Sequence, residues 1–238
     1  MLDCISSEIR QNKHNQFLDI FEREPWLPFF CPFFPIALAI LQGLPKLGMR
    51  FVFLFILVVA CKPNYNVDPS QVEKDLRAQA SQYPETKIQG ETRLGNFEIT
   101  LNEETPLHRI NFVRLVKMGY FTDRYFYRNV YEIGMQGGGE FRDRLAYLVP
   151  AEYPDHLKPE RGTIAMARYD EGNPKKSSSP TEFFIITNTE QAARFYKHYV
   201  VFGKVTKGLA VIDSMQKQRS FDEKPVIPVK FNLTLLMD

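Results

Sequence analysis

The sequence predicts a mainly β fold, a closed or nearly closed barrel with helices at its ends. From residue 92 onward, short segments alternate apolar and polar residues, two stretches have helical spacing, and turn residues fill the connections. Alternation with a period of two is typical of strands with one buried face. Many short strands with few helices are typical of a barrel. We therefore expect one medium-sized β domain, with the remaining residues as appendages to it.

The first predicted element of this domain is a hairpin in residues 93–101. The segment turns at Gly95 and Asn96, and the residues that follow alternate cleanly. The alternation places three apolar side chains on one face: Phe97, Ile99 and Leu101. We expect this face to point into the barrel.

A helix follows the hairpin. Thr105 and Pro106 form a start signal, because threonine is a common cap and proline is favoured at the first helical position. Gly119 is a stop signal. The apolar residues between them recur at helical spacing: Leu107, Ile110, Val113 and Val116. We expect the helix to bury this stripe against the sheet.

The rest of the domain consists of strand candidates and one further helix. The strand candidates are residues 126–130, 162–168, 183–187, 199–205 and 226–236, and the helix candidate is residues 209–218. Three consecutive glycines, residues 137–139, follow the first of these strands. Because glycine weakens a strand, we expect them to form the turn that ends this stretch.

Composition excludes several kinds of site. The cysteines are Cys4, Cys31 and Cys61, so no residue beyond 61 can form a disulfide bond or a thiolate metal site. The histidines are scattered without paired metal-ligand spacing, and the domain has neither a nucleophilic serine elbow nor a phosphate-binding loop. A formal net charge of +2 gives no electrostatic reason to expect nucleic acid as a partner.

The amino-terminal quarter has the pattern of an export signal. Met49 and Arg50 precede a short apolar run that ends at Ala60, as in secretory signals. Residues 58–61 (VVAC) resemble the bacterial lipobox, in which the cysteine is acylated and becomes the mature amino terminus. This resemblance implies a lipid anchor at Cys61 and a place in the bacterial cell envelope, outside the cytoplasm. The alternative is an ordinary transmembrane anchor with an incidental cysteine.

These patterns divide the chain into four parts. Residues 49–60 are the predicted lipoprotein signal, and residues 1–48, with an apolar stretch broken by prolines, are a leader or a mis-assigned translation start. Residues 61–91 are polar, and we expect them to form a tether. Within this tether Asp68 and Pro69 predict the start of a short, weakly anchored helix. The barrel domain is then residues 92–238.

Motifs in the domain resemble those of the cyclophilin family of peptidyl-prolyl cis-trans isomerases. In chain order they are Phe126-Tyr127-Arg128 with Gln136-Gly137-Gly138, residues 162–168 (GTIAMAR), residues 182–185 (EFFI) and residues 200–205 (VVFGKV). The resemblance covers residues 92–238 and implies an eight-stranded antiparallel barrel capped by two helices. It also implies interconversion of cis and trans X-Pro bonds in proline-containing polypeptides, without a cofactor.

The resemblance also assigns roles to individual residues. Arg128 matches the catalytic arginine, Gln136 the glutamine that supports it, and Phe184 the aromatic floor of the proline pocket. The residues that match substrate-binding positions are Ile133, Gly134, Ala167, Arg168, Glu182, Phe195 and Tyr199. An arginine suits the catalytic role, because its permanent charge and fixed donors can serve the proline nitrogen when amide resonance is lost.

Several of these positions depart from the family pattern. Ile133 and Gly134 stand where the family usually has Phe-Met, and Glu182 stands where it usually has glutamine. We expect Glu182 to form an ion pair with Arg128. Two functions follow. The first is an isomerase that assists the folding of exported proteins, and the alternative is a cyclophilin-like module or chaperone that binds proline-containing segments with weak or no catalysis.

Overall fold

Eight antiparallel strands close into a barrel within residues 63–139 and 145–236, which are the residues that the computed structural model describes. The strands in these ranges are β1 (Lys87–Thr92), β2 (Gly95–Leu101), β3 (Arg124–Val130), β4 (Gly134–Gly138), β5 (Thr163–Met166), β6 (Phe183–Ile186), β7 (Val200–Lys207), β8 (Ser220–Phe221), β9 (Lys224–Pro225) and β10 (Val229–Leu235). The order around the barrel is β1-β10-β3-β4-β6-β5-β7-β2, while β8 and β9 form a separate hairpin. The predicted fold class is confirmed.

Within the described ranges, helices precede the first strand and connect later ones. They are α1 (Val72–Ala78), α2 (Pro106–Lys117), α3 (Thr189–Ala192) and α4 (Leu209–Gln216), with short 3-10 turns at Ala80–Gln82 and Ala193–Phe195. The two predicted helices are α2 and α4. Pro106 occupies the start of α2 as expected, and Gly119 follows its end with a φ of 78°, a left-handed conformation that glycine adopts without strain.

The core lies between α2 and the inner face of the barrel. The ring of Phe112 on α2 lies 4.8 Å from that of Phe121, 5.5 Å from that of Phe183 and 5.0 Å from that of Phe202. Aromatic packing of this kind dominates the energetics of a core. The predicted inward face of β2 is confirmed, because Phe97, Ile99 and Leu101 are all buried.

The barrel begins at Lys87, before the predicted boundary at residue 92. Strand β1 pairs with β2 on one side and with β10 on the other, so it belongs to the wall of the barrel. Its alternation is hidden in the sequence, because one of its two inward positions is a glycine. A Cβ atom at Gly90 would lie 2.2 Å from the ring of Phe97, so the ring takes the space of the missing side chain. The hairpin turn accordingly lies at Arg93 and Leu94, and Gly95 begins β2.

The glycine-rich stretch forms a strand, which corrects the expectation of a turn at residues 137–139. Gly137 and Gly138 are the last residues of β4, which pairs with β3 and β6. Neighbouring segments approach the backbone of Gly138 and Gly139 so closely that no side chain fits there. A Cβ atom at Gly138 would lie 2.2 Å from the carbonyl oxygen of Thr181, and one at Gly139 would lie 2.1 Å from the hydroxyl of Tyr120. Close packing therefore explains glycine in a strand here.

The segment before the barrel packs against it, although residues 61–91 were expected to be a tether. Val72 and Leu76 of α1 are buried within the main core, and the ring of Tyr65 packs edge-on against Tyr120 at 4.9 Å. Helix α1 begins at Val72, later than expected. The carboxylate of Asp68 instead accepts a hydrogen bond of 2.9 Å from the backbone N–H of Ser70 and caps the turn before the helix.

The expectations for the leader, the signal and the lipid anchor concern residues outside the described ranges. Those expectations cover residues 1–48, residues 49–60 and Cys61. Among residues 63–139 and 145–236, none of the helices combines the length and the apolar character that crossing a membrane requires.

Candidate active site

Three of the sequence-predicted residues form a row across adjacent strands on the outside of the barrel. Arg128 of β3 is the direct partner of Gln136 on β4, and Gln136 is the direct partner of Phe184 on β6. Neighbouring strands lie about 5 Å apart, so Gln136 is a close neighbour of both Arg128 and Phe184, which are themselves about 10 Å apart. The row places a cation at one end and an aromatic ring at the other.

A bulge turns Arg128 outward. The inward residue before it is Phe126, and strict alternation would point Tyr127 outward and Arg128 back into the core. The register of β3 shifts between Phe126 and Arg128, and the side chain of Arg128 is 49% exposed. A bulge of this kind bends a strand and redirects a side chain. Both Tyr127 and Arg128 therefore reach the outer face.

Arg128 pairs with Glu223, not with Glu182 as expected. Its Nε donates a hydrogen bond of 2.7 Å to the carboxylate of Glu223, and its Nη1 lies 3.4 Å from the amide oxygen of Gln136. Glu223 lies in the turn between β8 and β9, where Asp222 and Glu223 both have positive φ. The backbone oxygen of Glu223 accepts a hydrogen bond of 2.6 Å from the N–H of Asn129, which fastens the turn beside β3.

Glu182 is instead joined to Tyr127. The Tyr127 hydroxyl donates to the carboxylate of Glu182 and accepts a hydrogen bond of 2.7 Å from the side-chain Nε2 of Gln136. Glu182 is 8% exposed. Burial and then the adjacent Glu182 charge raise the pKa of Tyr127 well above its ordinary value, so the hydroxyl keeps its proton.

An aromatic cluster surrounds Phe184. Its ring centroid lies 5.3 Å from that of Phe195 and 5.2 Å from that of Tyr199, and the latter two rings are 5.7 Å apart. Phe195 comes from the 3-10 turn after α3, and Tyr199 directly precedes β7. All three rings are half-buried, so they offer apolar surface without being sealed in the core. The structure thus brings together three of the predicted pocket residues.

Arg168 lies against the same cluster. Its guanidinium carbon is 5.2 Å from the ring centroid of Tyr199, and its Nη2 lies 2.8 Å from the carboxylate of Asp170. The side chain is only 11% exposed. Cation–π contact and the ion pair hold it as a wall of the site, not as a free surface charge.

The backbone hydrogen bonds of Ala167 and Arg168 differ, although both residues were expected to bind the substrate. The backbone N–H of Ala167 donates to the backbone oxygen of Glu182 at 2.8 Å. The backbone oxygen of Ala167 accepts from the backbone N–H of Ser179 at 2.8 Å. Within the described part of the chain, the backbone of Arg168 makes no such bond. The backbone of Arg168 can therefore pair with a substrate chain, while the bonds of Ala167 hold this segment in place.

Ile133 is the last residue of the turn before β4, and Gly134 is the first residue of that strand. The N–H of Ile133 donates to Val130 at 3.0 Å, and its oxygen accepts from Thr187 at 3.0 Å. A Cβ atom at Gly134 would lie 2.4 Å from the carbonyl oxygen of Ile185. No side chain fits at residue 134 in this backbone. The backbone of the paired strand β6 takes the space that the methionine usual in the family would need.

Sequence reasoning missed Tyr127 and Glu223. Tyr127 stands in the motif beside Arg128, but the motif assigns it no role, and the bulge that aligns the two has no local sequence signal. Glu223 is 95 residues from Arg128, in a short hairpin that no alternation pattern indicated. In the described ranges, no group of three or more His, Cys, Asp or Glu side chains could hold a metal ion.

The site combines a partly exposed guanidinium with a half-buried aromatic surface. An arginine donates hydrogen bonds and carries a permanent charge, while the aromatic cluster can take up an apolar ring. Such a site can bind a segment that has an apolar ring beside a hydrogen-bond acceptor. It can stabilise a change of conformation through hydrogen bonding and apolar contact, which require no covalent intermediate.

Comparison with known proteins gives one family. The model of the family described as "Cyclophilin type peptidyl-prolyl cis-trans isomerase/CLD" matches residues 87–233. The peptidyl-prolyl cis-trans isomerase of Acinetobacter baylyi is 36% identical over 138 residues, covering 55% of this chain and 71% of that protein.

Solved structures give the same fold. A cyclophilin-type peptidyl-prolyl cis-trans isomerase of Cryptosporidium parvum aligns with a TM-score of 0.59 at 22% identity, covering 65% of this chain and 99% of that one. A second structure of that protein, determined in the presence of the dipeptide Ala-Pro, aligns with a TM-score of 0.55 at 22% identity, covering 64% and 99%.

Proposed function

The chain belongs to the cyclophilin-type peptidyl-prolyl cis-trans isomerase family of enzymes, and on that premise we propose that it isomerises X-Pro bonds in exported proteins with Arg128 as the catalytic residue. The observation that carries this proposal is the row of Arg128, Gln136 and Phe184 across β3, β4 and β6. It sets a cationic donor and an apolar surface on one face, two strand spacings or about 10 Å apart, with Gln136 between them.

The chemistry of the bond explains why this set of groups suffices. Rotation about an X-Pro bond has a high barrier because the partial double bond must be lost, and the uncatalysed reaction takes tens to hundreds of seconds. In the twisted state the proline nitrogen regains a lone pair that can accept a hydrogen bond. A guanidinium N–H of Arg128 donates to that nitrogen while the aromatic cluster holds the ring.

The magnitudes require both parts of the site. An acceleration of about a thousandfold corresponds to removing about 4 kcal/mol from the barrier. One charge-assisted hydrogen bond contributes roughly 1.5 to 3 kcal/mol. The remainder has to come from the dry aromatic surface of Phe184, Phe195 and Tyr199, and from alignment of the substrate backbone along Arg168.

The ligand follows from the same geometry. Phe184 and its neighbouring rings suit the compact, apolar ring of proline, and the unbonded backbone of Arg168 suits an extended peptide. The Cryptosporidium relative was studied with Ala-Pro, which supports a proline-containing segment as the ligand here. The substrate class is therefore a polypeptide with an exposed X-Pro bond.

A role in folding has a direct test in proline-limited refolding. Full-length protein at a catalytic concentration is expected to shorten the slow phase of a disulfide-free substrate protein whose refolding is limited by X-Pro isomerisation. The fast phase should be unchanged. A slow phase whose rate does not depend on the concentration of the added protein would rule out a role in folding.

The ion pair between Arg128 and Glu223 gives a second prediction. Both side chains are about half-exposed, and such pairs are worth roughly 0.2 to 1 kcal/mol. Replacing Glu223 with glutamine is therefore expected to lower kcat/KM by up to about fivefold, because Nε of Arg128 loses its charged acceptor. The loss should shrink as salt is added. Asp222→Asn, in the same turn, is the control, and an equal loss in that variant would assign the effect to the hairpin.

The proposal also covers where the protein is located in the cell. The run from Met49 to Ala60, followed by Cys61, supports export and attachment of the protein to a membrane of the bacterial envelope through a lipid. Cys61→Ala is expected to release the protein from the membrane fraction and to remove the mass of the lipid from the mature chain. Unchanged partition and mass would overturn the lipid anchor and leave the isomerase assignment standing.

A further inference from the structure

Four side chains form a continuous hydrogen-bonded line from the interior to the proposed catalytic arginine. Glu182 accepts from the Tyr127 hydroxyl, and the oxygen of that hydroxyl accepts from Gln136 Nε2 at 2.7 Å. The Oε1 of the same amide lies 3.4 Å from Nη1 of Arg128. Among these bonds, Gln136 is the residue that joins Glu182 and Tyr127 to Arg128.

The carboxylate sets the direction of this line. An ionised carboxylate can only accept hydrogen bonds, so the Tyr127 hydroxyl must give its one proton to Glu182. The oxygen of Tyr127 can then only accept from the next group. Of the two ends of the Gln136 amide, only the NH2 group can donate. The carbonyl end of Gln136 is thereby turned toward Arg128, which needs an acceptor.

A neutral residue at position 182 would not set that direction. Glutamine, which the resemblance places at this position in the family, can present either an oxygen or an NH2 group to the tyrosine. The hydroxyl could then donate to Gln136, and the amide of Gln136 could turn its NH2 group toward the guanidinium. Two groups that only donate would face each other, and Arg128 would lose its support.

We propose that Glu182 and Tyr127 are positioning residues that lock Gln136 in the one amide orientation that supports Arg128. Neither residue needs to touch the substrate for this role. The inference rests on the proposed function of Arg128 in isomerisation. It gives the departure of this chain from glutamine at position 182 a function in the site.

Two conservative variants and their combination test the proposal. Tyr127→Phe keeps the ring and removes the hydroxyl, while Glu182→Gln keeps the shape and removes the charge. Each is expected to lower kcat about two- to tenfold, the effect of losing one hydrogen bond, with KM changed less than twofold. The double variant should be no slower than Tyr127→Phe alone, because removal of the hydroxyl already breaks the line between Glu182 and Gln136.

The control is Thr181→Val. The hydroxyl of Thr181 donates to the other oxygen of Glu182 at 3.4 Å and lies outside the line to Arg128. This variant is expected to keep the wild-type kcat. Losses in the double variant that multiply, a kcat that does not change in the single variants, or a loss in Thr181→Val as large as theirs would overturn the proposal.

A second readout does not depend on catalysis. In the full-length protein, the side-chain NH2 signals of Gln136 in nitrogen-15 NMR spectra should show slow hydrogen exchange, which becomes at least severalfold faster in Glu182→Gln and in Tyr127→Phe. If the wild type lacks isomerase activity, the proposed function fails while this readout still tests the orientation of Gln136. Equal exchange in all variants would overturn the orientation itself.

Discussion

Arg128→Ala is expected to lower kcat/KM for an X-Pro peptide about 10- to 150-fold, the equivalent of one charge-assisted hydrogen bond of roughly 1.5 to 3 kcal/mol. The guanidinium is the cationic end of the row that continues through Gln136 to Phe184. Alanine removes the donor for the proline nitrogen and leaves the aromatic surface in place. Steady-state isomerisation kinetics with a short proline peptide measure the loss.

The matched control for this change is Arg128→Lys. Lysine keeps the positive charge, but it cannot bond Glu223 through one nitrogen and face Gln136 with another in a fixed plane. It should recover only part of the lost activity. Because the side chain is half-exposed, the unfolding temperature should change little in either variant. Wild-type kcat/KM in Arg128→Ala would contradict the role of this residue.

Gly134→Met is expected to destabilise the protein by about 1 to 3 kcal/mol, although it introduces the residue that the family usually has there. A Cβ atom at this position would lie 2.4 Å from the backbone oxygen of Ile185 and 3.2 Å from its carbonyl carbon. These atoms belong to the paired strand β6, so the backbone has to shift before any side chain fits. Denaturant unfolding measures the change as a lower midpoint with little change in slope.

Gly172→Ala is the control for replacing a glycine. Nothing lies within 4 Å of a Cβ atom there, and its φ is 68°, so alanine adds only the conformational cost of roughly 1 kcal/mol. Gly134→Ala should cost more than this control despite the same added methyl group. A Gly134→Met protein that is as stable as the wild type and more active would show that the pocket lacks a wall at this position.

Local signals were sufficient to predict much of the fold. The start of α2 at Pro106 and the inward face of β2 each depend on residues within a few positions, and both are found in the structure. The strands β1 and β4 were missed for a common reason. Glycines such as Gly90 and Gly137 occupy inward positions where aromatic rings fill the space. Apolar and polar side chains therefore do not alternate along these two strands.

The site was predictable only in part. The motifs identify Arg128, Gln136 and Phe184, but their alignment in one row depends on strand register and on a bulge that has no sequence signal. The partner of Arg128 could not be predicted from sequence separation. Glu182 has the right charge, but its carboxylate is held by Tyr127, while Glu223 reaches Arg128 from a separate hairpin.

The claim that this chain catalyses X-Pro isomerisation is tested most directly by NMR exchange spectroscopy on a short proline peptide with a catalytic amount of full-length protein. The uncatalysed reaction takes tens to hundreds of seconds, so the free peptide gives no exchange cross-peaks at mixing times of about one second or less. The wild-type protein is expected to produce cross-peaks between the cis and trans signals at those times. Shifted or broadened peptide signals without any cross-peaks would show a module that binds proline segments without turning them over, and would contradict the account.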